Sequence, residues 1–218
     1  MSETNSETKT DRTTVKRIAE RGHYDRSVID PIIDEAIICH VGTVEDGMPM
    51  VIPTLHVRID DQLILHGSPA SRMLRSAKMQ EVCVTITLVD GFVLARSALH
   101  HSMNYRSVVI LGQPEVVPED EKAEVLDALV ERLVPGRIPY LREMTAKEVK
   151  ATSILRLPIT EASAKVRGGP PVDEDEDYEL PIWAGVLPIE TTYGTPVTDP
   201  SMRFDVDTPD HVTGYARP

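Results

Sequence analysis

The stretch HHSMNYRSVVILG, residues 100–112, decides the fold. It places two imidazoles, a hydroxyl, an amide, a phenol and a guanidinium directly before an apolar run at residues 108–111. A short apolar run of this kind is typical of a buried strand. Polar groups at the mouth of such a strand are typical of a ligand pocket in a β-barrel. The alternative is a solvated loop before an ordinary strand; the crowding of Asn104, Arg106 and Ser107 favours the pocket.

Composition restricts the class of protein. The 218 residues, 41% of them apolar, suit one domain with a real core and tails. A net charge of -12 argues against nucleic acid or an anionic membrane as partner. Cys39 and Cys83 both lie in apolar runs, which predicts buried thiols rather than a disulfide. Residues 1–12 have no apolar signal core, and no run approaches the ~20 residues of a membrane span, so we expect a cytoplasmic protein.

The pattern along the chain predicts a mainly β fold with flanking helices. Alternating or β-branched runs predict strands at residues 37–44, 50–59, 63–66, 81–89, 92–95, 105–117 and 152–159. Amphipathic runs predict helices at residues 27–36, 70–79 and 118–134. The apolar stripe of the last helix consists of Val125, Leu126, Leu129, Val130 and Leu133. Asp46-Gly47 predicts a tight hairpin. We divide the chain into a disordered tail (1–14), one domain (15–189) and an irregular tail (190–218).

Two segments carry further site candidates. Pro53 cannot donate a ladder hydrogen bond, which predicts an edge or bulge, with Pro53 and Thr54 lining the pocket. In HGSPASR, residues 66–72, a Gly-Ser-Pro turn precedes a helix whose first turn holds Ser71 and Arg72. Free N–H groups at a helix start bind anions, so we expect a phosphate there; a routine cap is the alternative. The chain has no dinucleotide fingerprint, so the phosphate would belong to a mononucleotide-like ligand.

Three other features are open to more than one interpretation. Arg17 and Arg21 lie four residues apart and in a helix would share a face and meet one anion; a solvated basic turn is the alternative. The single tryptophan, Trp183, is either a core anchor or a ring stacked on a flat ligand. The seven histidines are scattered and no cysteine pair has zinc spacing, so we expect no metal site.

Taken together, these motifs resemble the pyridoxamine 5′-phosphate oxidase-like family of FMN-binding split barrels. The similarity is greater to its flavin-nucleotide-binding branch, which includes the 5-nitroimidazole-resistance (Nim-type) proteins. It covers residues 17–188 and depends on the Arg17–Asp25 opening, HGSPASR, HHSMNYRSV and WAGVLP in that order. It implies an antiparallel six-stranded split barrel and a homodimer with FMN at the subunit interface.

The resemblance also implies residue roles. Ser71 and Arg72 match positions that hold the FMN phosphate, and Arg106 and Ser107 match a strand that approaches the flavin. His66 matches a histidine linked to reductive chemistry in Nim-type relatives, and Trp183 matches an aromatic that closes over the cofactor. Met73 stands where the oxidases proper have lysine, and the arginine signature that grips pyridoxal is missing, which argues against pyridoxamine phosphate oxidation.

The interpretation is therefore an FMN-dependent oxidoreductase that reduces a small aromatic or nitro compound, with His66 or His101 supplying a proton. The expected cofactor-binding residues are Pro53, Thr54, His66, Gly67, Ser71, Arg72, Asn104, Arg106, Ser107 and Trp183. The alternative is a flavin- or haem-binding protein without turnover, since His100 or His101 suits haem. A deazaflavin is a third option, although the chain lacks the basic cluster that its acidic tail would need.

Overall fold

The structure, a computed structural model, describes residues 8–216, in which ten strands form one antiparallel sheet. The strands are β1 (Gly22–His23), β2 (Ile38–Glu45), β3 (Met48–Ile59), β4 (Gln62–Gly67), β5 (Val82–Leu94), β6 (Ser102–Gly112), β7 (Glu115–Val116), β8 (Ser153–Pro158), β9 (Ala162–Arg167) and β10 (Gly185–Pro188). Their order is β1-β9-β6-β5-β2-β3-β4-β8-β7, and β10 pairs with β5.

The fold class expected from the sequence is confirmed. In residues 8–216 the first and last strands of the sheet do not pair, so the barrel stays open, as in a split barrel. The strand count exceeds the expected six because short strands join the sheet, among them β1, β7 and β10, which have two to four residues.

Five α-helices flank the sheet in the described range. They are α1 (Arg26–Glu35), α2 (Arg72–Ala77), α3 (Lys122–Leu133), α4 (Ala146–Lys150) and α5 (Asp210–Thr213). A 3₁₀ turn at Ile138–Tyr140 links α3 to α4. Among residues 8–216 no helix has the length and apolar content that crossing a membrane requires.

The main core lies inside the open barrel, under α1 and α2. Strand alternation turns one side chain in two inward, including Val41 of β2, Ile86 of β5 and Ile110 of β6, all fully buried. α1 adds Ile29 and Ile33 to the same cluster. Burial of each such side chain stabilises the fold by about 1.5–3 kcal/mol. This cluster therefore holds in place the strands on which any site would lie.

A second apolar cluster lies on the other surface of the sheet, under α3. Val57, Ile64 and Ile154 of neighbouring strands meet Leu129 of α3, which is 4% exposed. Leu126 packs at the edge of this cluster. The predicted apolar stripe of the helix is therefore the surface that covers β3, β4 and β8.

Two strand predictions differ from the structure. The strands predicted at residues 81–89 and 92–95 are one strand, β5, which runs through residues 82–94. A register irregularity between Val89 and Gly91 stands where a turn was expected. β10 passes so close that a Cβ on Gly91 would lie 2.7 Å from the Leu187 carbonyl oxygen, which explains the glycine. The predicted strand 105–117 is two strands, since Gly112 has φ 155° and the chain then crosses to pair with β8 as β7.

The first described residues are packed against the domain. Thr8 and Thr13 are buried, and the Thr8 hydroxyl donates to the Ala162 carbonyl at 3.0 Å. Of the tail 1–14 that was predicted to be disordered, the structure describes residues 8–14 and places threonine hydroxyls of this segment against the edge of β9; residues 1–7 lie outside the described range. At the other end, residues 191–209 form no helix or strand before α5.

Candidate functional site

The outward surface of β2, β3, β5 and β6 is open to solvent, and we call it the open sheet face. The register places His40 opposite Pro53, and Thr87 opposite Ser107, with their side chains on this face. Its exposed apolar members are Ile38, Val44, Val51, Val89, Phe92 and Met103. A contiguous apolar surface with polar side chains among it is typical of an interaction or ligand site.

Arg106 lies on the opposite side of β6 from Ser107. Its Nη2 donates to Glu35 Oε1 and to Asp90 Oδ1, each at 2.7 Å. The hydrogen bonds that Arg106 donates, first to Glu35 and then to Asp90, hold the pKa of the guanidinium above its ordinary value. Arg106 thus links Glu35 of α1 to Asp90 of β5, whereas the sequence predicted that it approaches the flavin.

A cleft of about 650 Å³ borders this network. Glu35, Asp90 and Glu190 contribute three carboxylates to its walls against the single guanidinium of Arg106. An anionic phosphate would be repelled there, because like charges are unfavourable at short distance. The cleft is therefore a poor place for the phosphate of a nucleotide.

Pro53 and Thr54 are turned to opposite sides of β3. Pro53 is exposed on the open sheet face, whereas Thr54 pairs with buried Cys39 on the core side. Period-two alternation therefore prevents both side chains from contacting the same ligand, although both were expected to line the pocket.

The start of α2 provides the predicted phosphate position. β4 ends at Gly67, and Ser71 caps the helix by accepting a hydrogen bond from the Leu74 amide at 3.4 Å. Arg72 is exposed, and its Nε lies 3.4 Å from Glu45 Oε2. Because this ion pair is long and exposed, it holds the guanidinium only weakly. Arg72 can therefore turn toward an anion at the helix start.

His66 lies apart from these residues, on the surface of the sheet that α3 covers. It lines a cavity of about 520 Å³ between β4, α3 and the segment that leads to α4. Its Nδ1 is buried without a hydrogen-bond partner in residues 8–216. The cavity walls are mostly apolar: Leu126, Leu129, Val130, Ile138, Leu141 and Met144. Sequence reasoning missed these residues because three of them, Leu126, Leu129 and Val130, belong to a helix stripe that looked like ordinary packing, and the other three lie in the segment after the helix.

Burial sets the protonation state of His66. Desolvation lowers the pKa of its imidazole below the ordinary value of 6.5. The ring is therefore neutral at pH 7, and a neutral imidazole nitrogen is the form that binds a metal ion.

Polar groups lie among the lining residues of the same cavity. Arg142 donates to Glu148 Oε2 at 2.9 Å, and both side chains are exposed. The Arg142 guanidinium holds the pKa of Glu148 below its usual range. Asp127 and Glu143 line the cavity as well, so three carboxylates and one guanidinium form its polar rim.

The remaining candidates do not line the cavity of His66. His101 is exposed, with Nδ1 2.8 Å from the Ser97 carbonyl oxygen. Asn104 is buried and binds neighbouring protein groups, donating to the Gly169 carbonyl at 3.1 Å. Trp183 is 70% exposed beside β10, so most of its ring is not packed against the rest of the chain.

The candidates therefore lie mainly in three places, which are the open sheet face, the start of α2 and the cavity of His66. Ser107 on β6 and His66 on β4 are separated by four strand steps, which is about 19 Å along the sheet. One flat ring held by a single subunit cannot contact both side chains. Within residues 8–216 no group of three or more His, Cys, Asp or Glu is arranged to hold a metal ion.

The open antiparallel sheet defines a split-barrel protein. The sequence profile of the pyridoxamine 5′-phosphate oxidase family matches residues 25–166. The chain belongs to this family, within its FMN-binding split-barrel group. Among curated proteins, none matches the chain.

Solved structures add similar proteins. The flavocytochrome Anf3 from Azotobacter vinelandii is 42% identical, with a TM-score of 0.91 over 96% of this chain and 99% of that one. A FAD and haem binding protein from Mycobacterium smegmatis is 38% identical, with a TM-score of 0.86 over 89% and 96%. A candidate 5-nitroimidazole antibiotic resistance protein from Bacteroides thetaiotaomicron is 24% identical, with a TM-score of 0.56 over 66% and 86%, and shares the fold.

Proposed function

We propose that this protein is a redox flavoprotein that also binds haem, and that it passes electrons between the two cofactors and a small acceptor. The observation that carries this proposal is the cavity lined by His66 and six apolar side chains, where the buried Nδ1 of His66 has no hydrogen-bond partner in the described residues 8–216. The similarity to a flavocytochrome and to a FAD and haem binding protein, each over most of both chains, supports it.

The residues around His66 fit haem. A neutral imidazole is a common axial ligand of haem iron, and the lowered pKa keeps His66 neutral. Leu126, Leu129 and Met144 present apolar walls that exclude water and suit a porphyrin ring. Arg142 would pair with the propionates only by leaving Glu148, because Asp127, Glu143 and Glu148 on the same rim repel carboxylates.

The open sheet face and the start of α2 fit the flavin. Ser71 and Arg72 of one subunit would hold the phosphate that FMN and FAD share, and Ser107 would face the ring of a flavin held by the other subunit of a dimer, because the two places are too far apart for one flavin in one subunit. When bound, flavin exchanges a hydride or single electrons and haem exchanges one electron, which is the chemistry the protein lacks by itself. Arg106 would act indirectly, by fixing β5 and β6 against α1.

A homodimer is part of the proposal. Val44, Val51 and Phe92 are each about half exposed on the open sheet face, and Trp183 is more exposed still. Monomers rarely leave such a surface uncovered. A second copy packed on this face would bury it and bring its own Trp183 toward the flavin.

The second candidate is a flavoprotein without haem, in which His66 gives a proton to a small aromatic or nitro compound. It requires the flavin ring to reach His66, four strand steps from Ser107. The flavin of a partner subunit would have to supply that contact. We therefore rank this function below the flavin and haem protein.

The test is titration of purified protein, stripped of cofactors, with haemin, FMN and FAD, followed by visible absorption. We expect His66→Ala to lose the Soret shift of bound haem while flavin binding stays, and Arg72→Gln to do the reverse. His101→Ala and Arg75→Gln are matched controls, since His101 is an exposed imidazole and Arg75 an exposed arginine on the same helix as Arg72.

The outcome also separates the candidates. If His66→Ala binds haemin as tightly as the wild type, His66 is not the ligand and the haem proposal fails. If the wild type binds flavin but no haemin, the second candidate takes its place.

A further inference from the structure

Strand β9 carries two kinds of side chain. Ala162, Ala164 and Val166 point into the main core, so alternation turns Lys165 and Arg167 to the other surface. β1 pairs Gly22 with Lys165, which places the preceding residue, Arg21, at the same edge.

Arg167 is the one buried arginine in residues 8–216, with 9% of its surface exposed. Its guanidinium donates to Asn104 Oδ1, a neutral group. The other well-packed arginines differ, because Arg58, Arg96 and Arg106 each bind a carboxylate.

The surroundings of Arg167 add positive charge. Within residues 8–216 no carboxylate forms an ion pair with Arg167, Arg21 or Lys165. Burial lowers the pKa of the Arg167 guanidinium, and the neighbouring charge of Arg21 lowers it further. Lys165 Nζ donates to the Arg17 carbonyl at 3.1 Å, which leaves two of its N–H groups for another acceptor.

A buried guanidinium with positive neighbours and no counter-charge is unfavourable, and a bound anion reduces that cost. A guanidinium offers a planar fork that matches the two oxygens of a carboxylate or phosphate. We propose that Arg167, Arg21 and Lys165 form a binding site for a small compound carrying a carboxylate or phosphate group.

The site adjoins the surface where the flavin ring is expected. Lys165 is opposite Ser107 in the register, and Tyr105 is opposite Arg167. If the proposed function holds, the anionic compound is the redox partner of the flavin; the anion site itself does not depend on that function.

The test is isothermal titration of the purified protein, with its native cofactors, by inorganic phosphate and by acetate at constant ionic strength. The two probes distinguish a phosphate site from a carboxylate site. We expect saturable binding of one probe, weakened about tenfold or more in Arg167→Met and Arg21→Gln. Arg203→Gln, which changes an exposed arginine of the tail, should bind as the wild type does.

A second measurement keeps the test independent of folding defects in Arg167→Met. In an anion-free buffer of low ionic strength, Arg21→Gln should raise the melting temperature, because it removes the repulsion from Arg167. No saturable binding of either probe by the wild type, equal binding by Arg21→Gln, or a lower melting temperature of that variant would overturn the site. Anion binding that leaves the flavin spectrum unchanged would support the site but break its link to the redox function.

Discussion

The ion pairs of Arg106 allow a test of what this residue does. Arg106→Met keeps an unbranched stem but removes the charge that Glu35 and Asp90 share. The three side chains are 31%, 47% and 32% exposed, so each pair is worth about 0.5–1 kcal/mol. We expect the free energy of unfolding to fall by about 1–2 kcal/mol, which lowers the melting temperature by about 2–8 °C.

The assay combines unfolding by heat and urea with titration of flavin. If Arg106 joins α1 to β5, the variant loses stability while its affinity for flavin changes less than about threefold, since no direct contact is removed. Glu35→Gln should lose part of the same stability, and the double variant should show non-additive losses. Unchanged stability together with a large loss of flavin would refute the structural role and restore the flavin contact predicted from sequence.

Three further predictions follow from burial and packing. Because the pKa of His66 is lowered from 6.5, haem should stay bound as the pH falls to 6.5 and be lost at lower pH. The imidazole of the unfolded chain takes up a proton before that of the folded chain, so the free energy of unfolding should also fall as the pH drops through 6.5. Haem release centred above pH 6.5 in a Soret titration would contradict this prediction. Leu129→Ala should lower the free energy of unfolding by about 2–4 kcal/mol in urea, and a loss below about 1 kcal/mol would show that α3 does not pack tightly over the cavity. Gly91→Ala should displace β10, cost about 1–3 kcal/mol and shift the fluorescence of Trp183, whereas unchanged emission and stability would contradict the close approach of Leu187.

Local sequence patterns were enough to predict most of the helices and strands of the fold. Alternation in β2 and β3 and the glycine turn at Asp46-Gly47 predicted the hairpin, which the structure shows with φ 76° at Gly47. The apolar stripe predicted for α3 is confirmed, since it packs on the sheet in the second apolar cluster. The hairpin and the helix stripe depend on residues only a few positions apart, so they can be predicted from a single sequence.

The arrangement of the candidate site depends on contacts between distant residues. Arg106 meets Glu35 across 71 positions of the chain, and no local pattern indicates that pair. The cavity of His66 exists only because α3 and the following turn cover β4. Likewise, the sequence did not predict a site at Arg167. Its burial and its nearness to Arg21 arise from the pairing of β9 with β6 and β1.

The visible absorption spectrum of the protein as purified tests the central claim most directly. We expect flavin bands and a Soret band in the same sample, with a Soret band that depends on His66. A sample that shows neither chromophore, and that binds neither flavin nor haemin when they are added, would contradict the claim and leave a split barrel with no redox function.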